Sequence, residues 1–325
     1  MTGQGPMSAA WANGLSSHGE SDGVSKSSPT SSSSRSRTKG APPAGRRGWR
    51  DLDHRLLAVL GRITERDRQL CRLLEDHRVL TTAQVADVGF TGERRARTRL
   101  SELCALDVLE RFRPRTGANL APFHWVLGPL GVALVAAEAG VDVAELDWRH
   151  GLVHDLAASQ RLAHLVGVNG FFTALLRSAR TRSGCQLADW WSERRCGREW
   201  GEVVRPDGYG VWVDHGASMP FLLEHDNCTE RLNRLADKLD GYAKLAEAAG
   251  HPNWVLFTFP TARREVDARR VLAHHGVPVA TAVRSPDSTP DDAVWLPIGD
   301  PGPRLRLVQL AFSLDARRSA SPPHP

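Results

Sequence analysis

"PFLLEHDNCTE", residues Pro220 to Glu230, is the stretch on which the fold turns. Phe221, Leu222 and Leu223 run directly into Glu224, His225 and Asp226. A short apolar run that ends in a polar cluster reads as a buried strand. Alternation along a strand then sets Glu224 and Asp226 on one face and His225 on the other. The preceding strand is "RPDGYGVWV", opened by Asp207, and "DHGA" (Asp214 to Ala217) is the turn between the two. Paired as a hairpin, the strands bring Asp207 beside Glu224. Three carboxylates at one sheet end repel each other unless a divalent cation neutralises them, and an all-oxygen set suits Mg2+ or Mn2+. The same residues also read as a Pro-Asp-Gly turn and a strand end meeting solvent, with Asp226 or Asn227 capping the next helix.

Elements on either side fit a mixed sheet. A helix covers about 156–182, with Leu162, Leu165, Val166, Asn169, Phe172 and Leu176 on one face. "QLADWWSE" is a strand, and Glu193 at its end is a further acidic candidate. After Asp226 comes a helix with Leu232, Leu235, Leu239, Tyr242 and Ala246 on one face, closed by Gly250. "NWVLFTF" is a strand, "ARREVDARRVLAHHG" a helix and "PVATAV" a strand, giving the order α-β-β-β-α-β-α-β. Lys238 flanks the buried stripe of the helix after Asp226 and can lean towards the sheet. Only four lysines occur, and Lys26 and Lys39 lie in the tail, so Lys238 and Lys244 are the only two in the folded part. A lysine beside metal-bound carboxylates is suited to stabilising a phosphoryl transition state.

Residues 51–145 have a different pattern. Thr64 is an N-cap candidate for a helix carrying Leu70, Leu73 and Leu74, and Thr81 with Gln84 has capping-box spacing for a second. A third helix, "TGERRARTRLSELCALDV", buries Ala96, Leu100, Leu103 and Cys104 and presents Arg94, Arg95, Arg97 and Arg99 on the remaining faces. A strand, a Pro/Gly/Asn turn holding Arg115 and a second strand follow, and Pro129 starts another helix. Three helices and a hairpin make a winged helix-turn-helix, with the arginines facing double-stranded DNA and Arg115 on the wing. A solvated helix face is the plain alternative for these arginines. "VDVAELDWRHGLVHD" reads as a linker to a second domain over 150–315.

Residues 1–50 are rich in Ser, Gly, Pro and Arg and carry no apolar periodicity, which predicts a disordered tail. The net charge of +5 favours an acidic partner only mildly. No apolar run approaches the ~20 residues of a membrane span, and "MTGQGPMSAAWANGLSSHGE" has no basic stretch followed by an apolar block, so no signal peptide is expected and the expected location is the cytoplasm. Five scattered cysteines without a CxxC pair fit free thiols. His164, His225, His274 and His275 lack zinc-ligand spacing and read as packed or capping histidines. No phosphate-binding glycine loop or nucleophile elbow is present. Tyr209 and Tyr242, the only tyrosines, read as structural.

"RPDG", "FLLEHD" and "KLDGY", in an α-β-β-β-α-β order, resemble the PD-(D/E)xK nuclease superfamily. The resemblance implies a restriction-endonuclease-like α/β domain in which Asp207 and Glu224 are metal ligands and Lys238 is a catalytic lysine moved to the following helix. Asp226 stands where that superfamily usually carries its lysine. A narrower resemblance rests on "RDRQLCRLLEDHRVLTTAQVADVGF", "LSELCALDVLERF", His164 and Asn169 ahead of Phe172, "VRPDGYGVW", "FLLEHDNCTERLNRLADKLDGY" and "VLFTFPTARRE", in that order over about 60–285. These resemble the replication-relaxation family of actinobacterial plasmids and mobile elements. That resemblance implies a DNA-binding protein of plasmid replication and DNA relaxation, with replication or transfer proteins as partners and homo-oligomerisation open. Two other readings stand beside it: a winged-helix transcriptional regulator with a non-catalytic partner-binding domain, and a metal-dependent DNA endonuclease.

Overall fold

The computed structural model describes residues 52, 54–116, 119–146, 148, 152–228, 231–273 and 276–313. The expected tail over 1–50, part of the expected linker and His274–His275 lie outside the described residues.

The chain is α+β, with an N-terminal lobe and a larger mixed sheet. In the N-terminal lobe, helices α1 (Glu65–His77), α2 (Thr82–Gly89) and α3 (Glu93–Ala105) precede strands β2 (Leu109–Phe112) and β5 (His124–Leu127). Strand β1 (Leu80–Thr81) joins them in an antiparallel sheet of order β1-β5-β2, and α4 (Pro129–Ala139) closes the lobe. Helix starts follow local chemistry. Thr64 and Asp67 form a capping box at α1, Thr81 and Gln84 another at α2, and Pro129 occupies the first turn of α4. Between β2 and β5, a small hairpin pairs β3 (Arg115–Thr116) with β4 (Asn119–Leu120), placing Arg115 opposite Leu120.

Helices α5 (Leu152–Ala158) and α6 (Leu162–Thr181) lead into the large sheet. Its strands are β6 (Cys185–Ser192), β7 (Gly208–Asp214), β8 (Ala217–His225), β9 (Trp254–Phe259), β10 (Val279–Val283) and β11 (Leu296–Pro297), in the order β11-β10-β9-β8-β7-β6. The first three strands form an antiparallel meander, β9 lies parallel to β8, and β10 lies parallel to β9. Helix α7 (Glu193–Trp200) follows β6, α8 (Leu232–Ala249) links β8 to β9, and α9 (Ala262–Leu272) links β9 to β10. The expected order of strands and helices is observed, with the short helices α5 and α7 and strand β11 added; α5 lies across the end of the expected linker, and the helix expected over 156–182 begins at Leu162.

Alternation along β8 builds both cores. Phe221 and Leu223 pack with Phe171 and Phe172 of α6, while Leu222 packs with Leu235, Leu239 and Tyr242 of α8. The β7–β8 turn sets the register. His215 and Gly216 both have left-handed backbone, at φ 48° and 87°, the two-residue loop whose twist matches flanking strands. Asp214 then pairs with Ala217, and Gly208 with Leu223.

Helix α6 is buried on two sides, where the sequence pattern indicates one stripe. Its Asn169 amide donates to the carbonyls of His77 (3.1 Å) and Val79 (2.7 Å) in the N-terminal lobe. Arg180, near its end, donates to the carbonyls of Ala86, Asp87 and Phe90 and so satisfies the open C-terminal end of α2. Ser192 and Arg194 reach Asp76 and Glu75 of α1, and His77 stacks on Trp190 at 3.7 Å. The two lobes thus share a polar and aromatic seam as well as the linking chain.

Candidate functional site

At the end of the large sheet, β7 and β8 continue their pairing one residue beyond the strand. The Asp207 N–H donates to the Leu223 carbonyl at 3.0 Å, which sets Asp207 opposite Glu224 as the hairpin register demands. The Asp207 carboxylate accepts the His225 N–H on Oδ2 at 2.7 Å, and its Oδ1 lies 3.1 Å from His164 Nε2 on α6. Glu224 points to the opposite side of β8 from His225. Its Oε2 accepts from Lys238 Nζ at 2.5 Å, and its Oε1 accepts the Tyr242 hydroxyl, both from α8. Asp207 and Glu224 are 8% and 2% exposed, so this is a buried acid pair rather than a solvated sheet edge.

Burial also governs the electrostatics. It raises the Glu224 pKa, and the Asp207 charge adds to the rise; Lys238 and Tyr242 offset only part of this, leaving it at about 7. Burial would also raise Asp207, but the His164 hydrogen bond and charge, together with Lys238 and the His225 N–H, hold it below the usual carboxylate value. For His164 burial opposes protonation, and the Asp207 hydrogen bond and charge overcome it and raise the pKa. His225 is driven down to about 3, first by burial and then by the Arg284 charge, and stays neutral at physiological pH. Its ring lies against Gly167, where a Cβ would come within 2.2 Å of Nε2, and Thr258 Oγ1 sits 3.1 Å from Nδ1. The packed reading of His225 therefore fits its surroundings.

These groups line a cleft of about 760 Å3 between α6, the sheet end and α8. Glu193, the first residue of α7, also lines it and is held by Arg161 at 2.8 and 3.2 Å. Asp226 differs from the expected arrangement. Strand β8 ends at His225, and Arg264 of α9 grips the Asp226 carboxylate with Nε at 2.8 Å and Nη2 at 3.2 Å. Arg284 holds the Asp226 carbonyl at 2.8 Å. The Asp226 carboxylate is thus committed to an arginine fork and does not gather with Asp207 and Glu224 as a third ligand. Nor does Asp226 or Asn227 cap α8, which begins at Leu232. Among the described residues, three close-set ligand atoms of the Asp, Glu, His or Cys type occur together only at Cys185, Asp214 and His215, at the far end of the hairpin. Each oxygen of Asp207 and Glu224 already has a partner, so an oxygen-seeking cation such as Mg2+ or Mn2+ would have to displace Lys238 or Tyr242 from Glu224 and His164 or the His225 N–H from Asp207.

On α3 the four arginines divide. Arg94, Arg95 and Arg97 are exposed. Arg95 reaches Thr91 at 3.3 Å, and Arg97 pairs loosely with Glu93 at 3.7 Å. Arg99 instead donates to both oxygens of the buried Asp67 at 3.1 and 2.6 Å, to Glu102 and to the Arg62 carbonyl. It is a tie between α3 and α1, and its expected place on an open arginine face is corrected accordingly. Asp67 serves the Thr64 capping box as well, so the link from cap to Arg99 has no sequence signature of its own. His164 was also missed as a member of the site. Its signal was a polar residue one turn before Gly167, the only kind of residue that lets His225 approach the helix.

The description "replication-relaxation" belongs to the family whose profile matches residues 71–255, more than half of the chain, running from α1 through the sheet-end cleft to the start of β9. Neither a curated protein nor a solved structure matches the chain. The matched span takes in both lobes, the seam at Asn169 and the Asp207, Glu224 and Lys238 cluster, and the chain belongs to the replication-relaxation family.

Proposed function

We propose that the protein binds double-stranded DNA through its N-terminal lobe and acts on a phosphodiester at the sheet-end cleft, as a metal-dependent nuclease-like component of plasmid or mobile-element replication. The observation that carries this reading is the buried Asp207–Glu224 pair on adjoining strands, with Lys238 and His164 reaching in from opposite helices. Family membership supports a role in replication or relaxation. The α-β-β-β-α-β order, with an antiparallel meander and a parallel fourth strand, supports a restriction-endonuclease-like domain. The helix triplet with its β2–β5 hairpin supports a winged helix, and exposed Arg94, Arg95 and Arg97 on α3 support phosphate contacts in a groove.

Asp207 and Glu224 would hold a Mg2+ or Mn2+ ion, which when bound supplies positive charge to a phosphodiester. Lys238 sits where its ammonium can serve a negatively charged phosphoryl group once Glu224 turns to the cation. His164 Nε2 lies 3.1 Å from Asp207, whose hydrogen bond and charge favour the protonated ring, and a proton there would be placed to go to a departing oxygen. Asp226 is an architectural anchor through Arg264, and Glu193 orients Arg161 at the cleft mouth. A supercoiled plasmid incubated with Mn2+ and the wild-type protein should be converted to nicked or linear form, with loss of at least about a hundredfold in Glu224→Gln. Equal conversion by both proteins, or none by the wild type, would overturn the catalytic reading.

A further inference from the structure

A second cavity, of about 380 Å3, lies directly behind the cleft on the other side of His225 and Arg284. It shares Ala163, His225, Asn227 and Arg284 with the cleft, so the two spaces adjoin with these residues forming the wall between them. Their chemistry differs sharply. The cleft is lined by Glu193, Asp207, Glu224 and Asp226, whereas no carboxylate lines the chamber. Small residues of α6, including Gly170 and Ala174, leave room on one wall. Phe171, 8% exposed, gives a narrow aromatic edge backed by the fully buried Trp295, while Ser285, Ser288 and Asn227 supply hydrogen-bonding groups and the Thr289 hydroxyl is taken by Asp291 and Asp292. The Trp295 indole N–H is already used by the Pro290 carbonyl at 2.7 Å, so the ring is fixed in place.

We propose that this chamber receives a single nucleobase whose flanking phosphate lies in the acidic cleft. The inference rests on the phosphodiester reading of the cleft and names what that site would hold beside the phosphate. A nucleobase is flat, uncharged and polar along its edges, which matches a small-residue wall with the Phe171 edge on one side and the Ser285, Ser288, Asn227 and Arg284 polar groups on the other. The volume lies near the lower end of the ~300–1,000 Å3 range of small-molecule sites, suiting one base and its sugar rather than a base pair. It adjoins the cleft across His225 and Arg284, so a base held there would have its own phosphate on the cleft side. An unpaired or extruded nucleotide meets this requirement without the cost of unstacking a duplex.

The test uses a single-stranded 12-mer with one central 5-iodouracil, and separately 5-iodo-deoxyuridine monophosphate, each irradiated with the full-length protein in Ca2+. Cross-linked peptides are mapped by mass spectrometry, and affinity for the 12-mer is measured by anisotropy. The proposal expects cross-links to Phe171 or to the segment 282–295. It expects the yield to collapse in Ala174→Phe and in Ser288→Trp, which fill the chamber from opposite walls, with affinity falling about tenfold as one stacking site is lost. Cross-linking by the mononucleotide as well identifies a free-nucleotide site, and cross-linking by the 12-mer alone identifies a strand nucleotide. Cross-links confined to other surfaces, or unchanged yield in both filled variants when both melt as the wild type does, would overturn the chamber. Cross-links in the chamber without any Mn2+-dependent cleavage would overturn the catalytic reading and leave the chamber standing. Intact cleavage with no chamber cross-link would do the reverse.

Discussion

The outer face of α3 and the end of the large sheet are both crowded with charge, and they handle it in opposite ways. On α3, Arg94, Arg95 and Arg97 stay in water with at most a weak neighbour within one turn. Such charges cost the fold little and contribute little to it, so they remain available to a polyanion. At the sheet end, Asp207, Glu224 and Asp226 are buried, and each is met by a group at least fourteen residues away in sequence. A buried charge is tolerated only with such partners, and a well-packed apolar group would often be at least as stable. Asp226 is a tie to α9 through Arg264, and burial of the other two acids beside an open cleft is what the proposed chemistry would account for. Arg99 shows that the boundary falls within one helix: two residues beyond Arg97, it belongs to the buried class.

The comparison breaks most visibly if buried partners prove dispensable. Arg264→Met leaves the Asp226 carboxylate buried without its fork, and the expected loss is about 3–5 kcal/mol of unfolding free energy in urea. A loss below about 1 kcal/mol would put Asp226 among the solvated charges. A smaller effect concerns pH. Between 4.5 and about 7 the folded protein keeps the Glu224 proton that the unfolded chain releases, so this group's contribution is full below 4.5 and lost as pH rises through about 7. His225 and His77, lowered to about 3 and about 4 chiefly by burial, act with the opposite sign and favour the fold as pH rises towards 6.5. Comparison with Glu224→Gln isolates the first group. The stability of the variant relative to wild type should increase by roughly 1–3 kcal/mol from pH 5 to pH 8. A constant difference would mean that Glu224 is ionised throughout.

The smallest effects sharpen the division on α3. Arg99→Ala should cost about 1–3 kcal/mol of stability, because Asp67 is left buried with its capping bonds alone. Arg94→Ala should stay within ±0.5 kcal/mol of the wild type and instead lower the salt dependence of duplex DNA binding by about one unit. Interchanged outcomes would assign the arginines to the wrong classes.

The legible part of this fold is the part fixed by local rules. The capping boxes at Thr64 and Thr81, the Pro129 helix start, the Gly250 stop and the strand from Phe221 were read from neighbouring residues alone. The pairing of Asp207 with Glu224 was also legible, because a two-residue turn at His215–Gly216 fixes the register of everything behind it. What escaped the sequence depends on contacts between distant segments. Asp226 looked like a third ligand until Arg264, on another helix, proved to claim it. Helix α6 looked one-sided because only the stripe through Leu162, Leu165, Val166 and Asn169, which meets the N-terminal lobe, was read, while Val168, Phe171 and Leu175 bury a second face against the large sheet. The segment after β10 carries no helical or alternating period, yet it places Trp295, Leu307 and Leu310 in the core.

The central claim is that Asp207 and Glu224 are a cation site and Lys238 is their companion for substrate. Calorimetric titration of Mn2+ into the wild type, Glu224→Gln and Lys238→Ala tests it directly. The account predicts saturable binding to the wild type, loss of binding in Glu224→Gln, and binding at least as tight in Lys238→Ala, where the ammonium no longer occupies Glu224 Oε2. Equal binding to the wild type and Glu224→Gln, or no binding to the wild type, would contradict it and leave the buried acids as ties between the sheet and its helices.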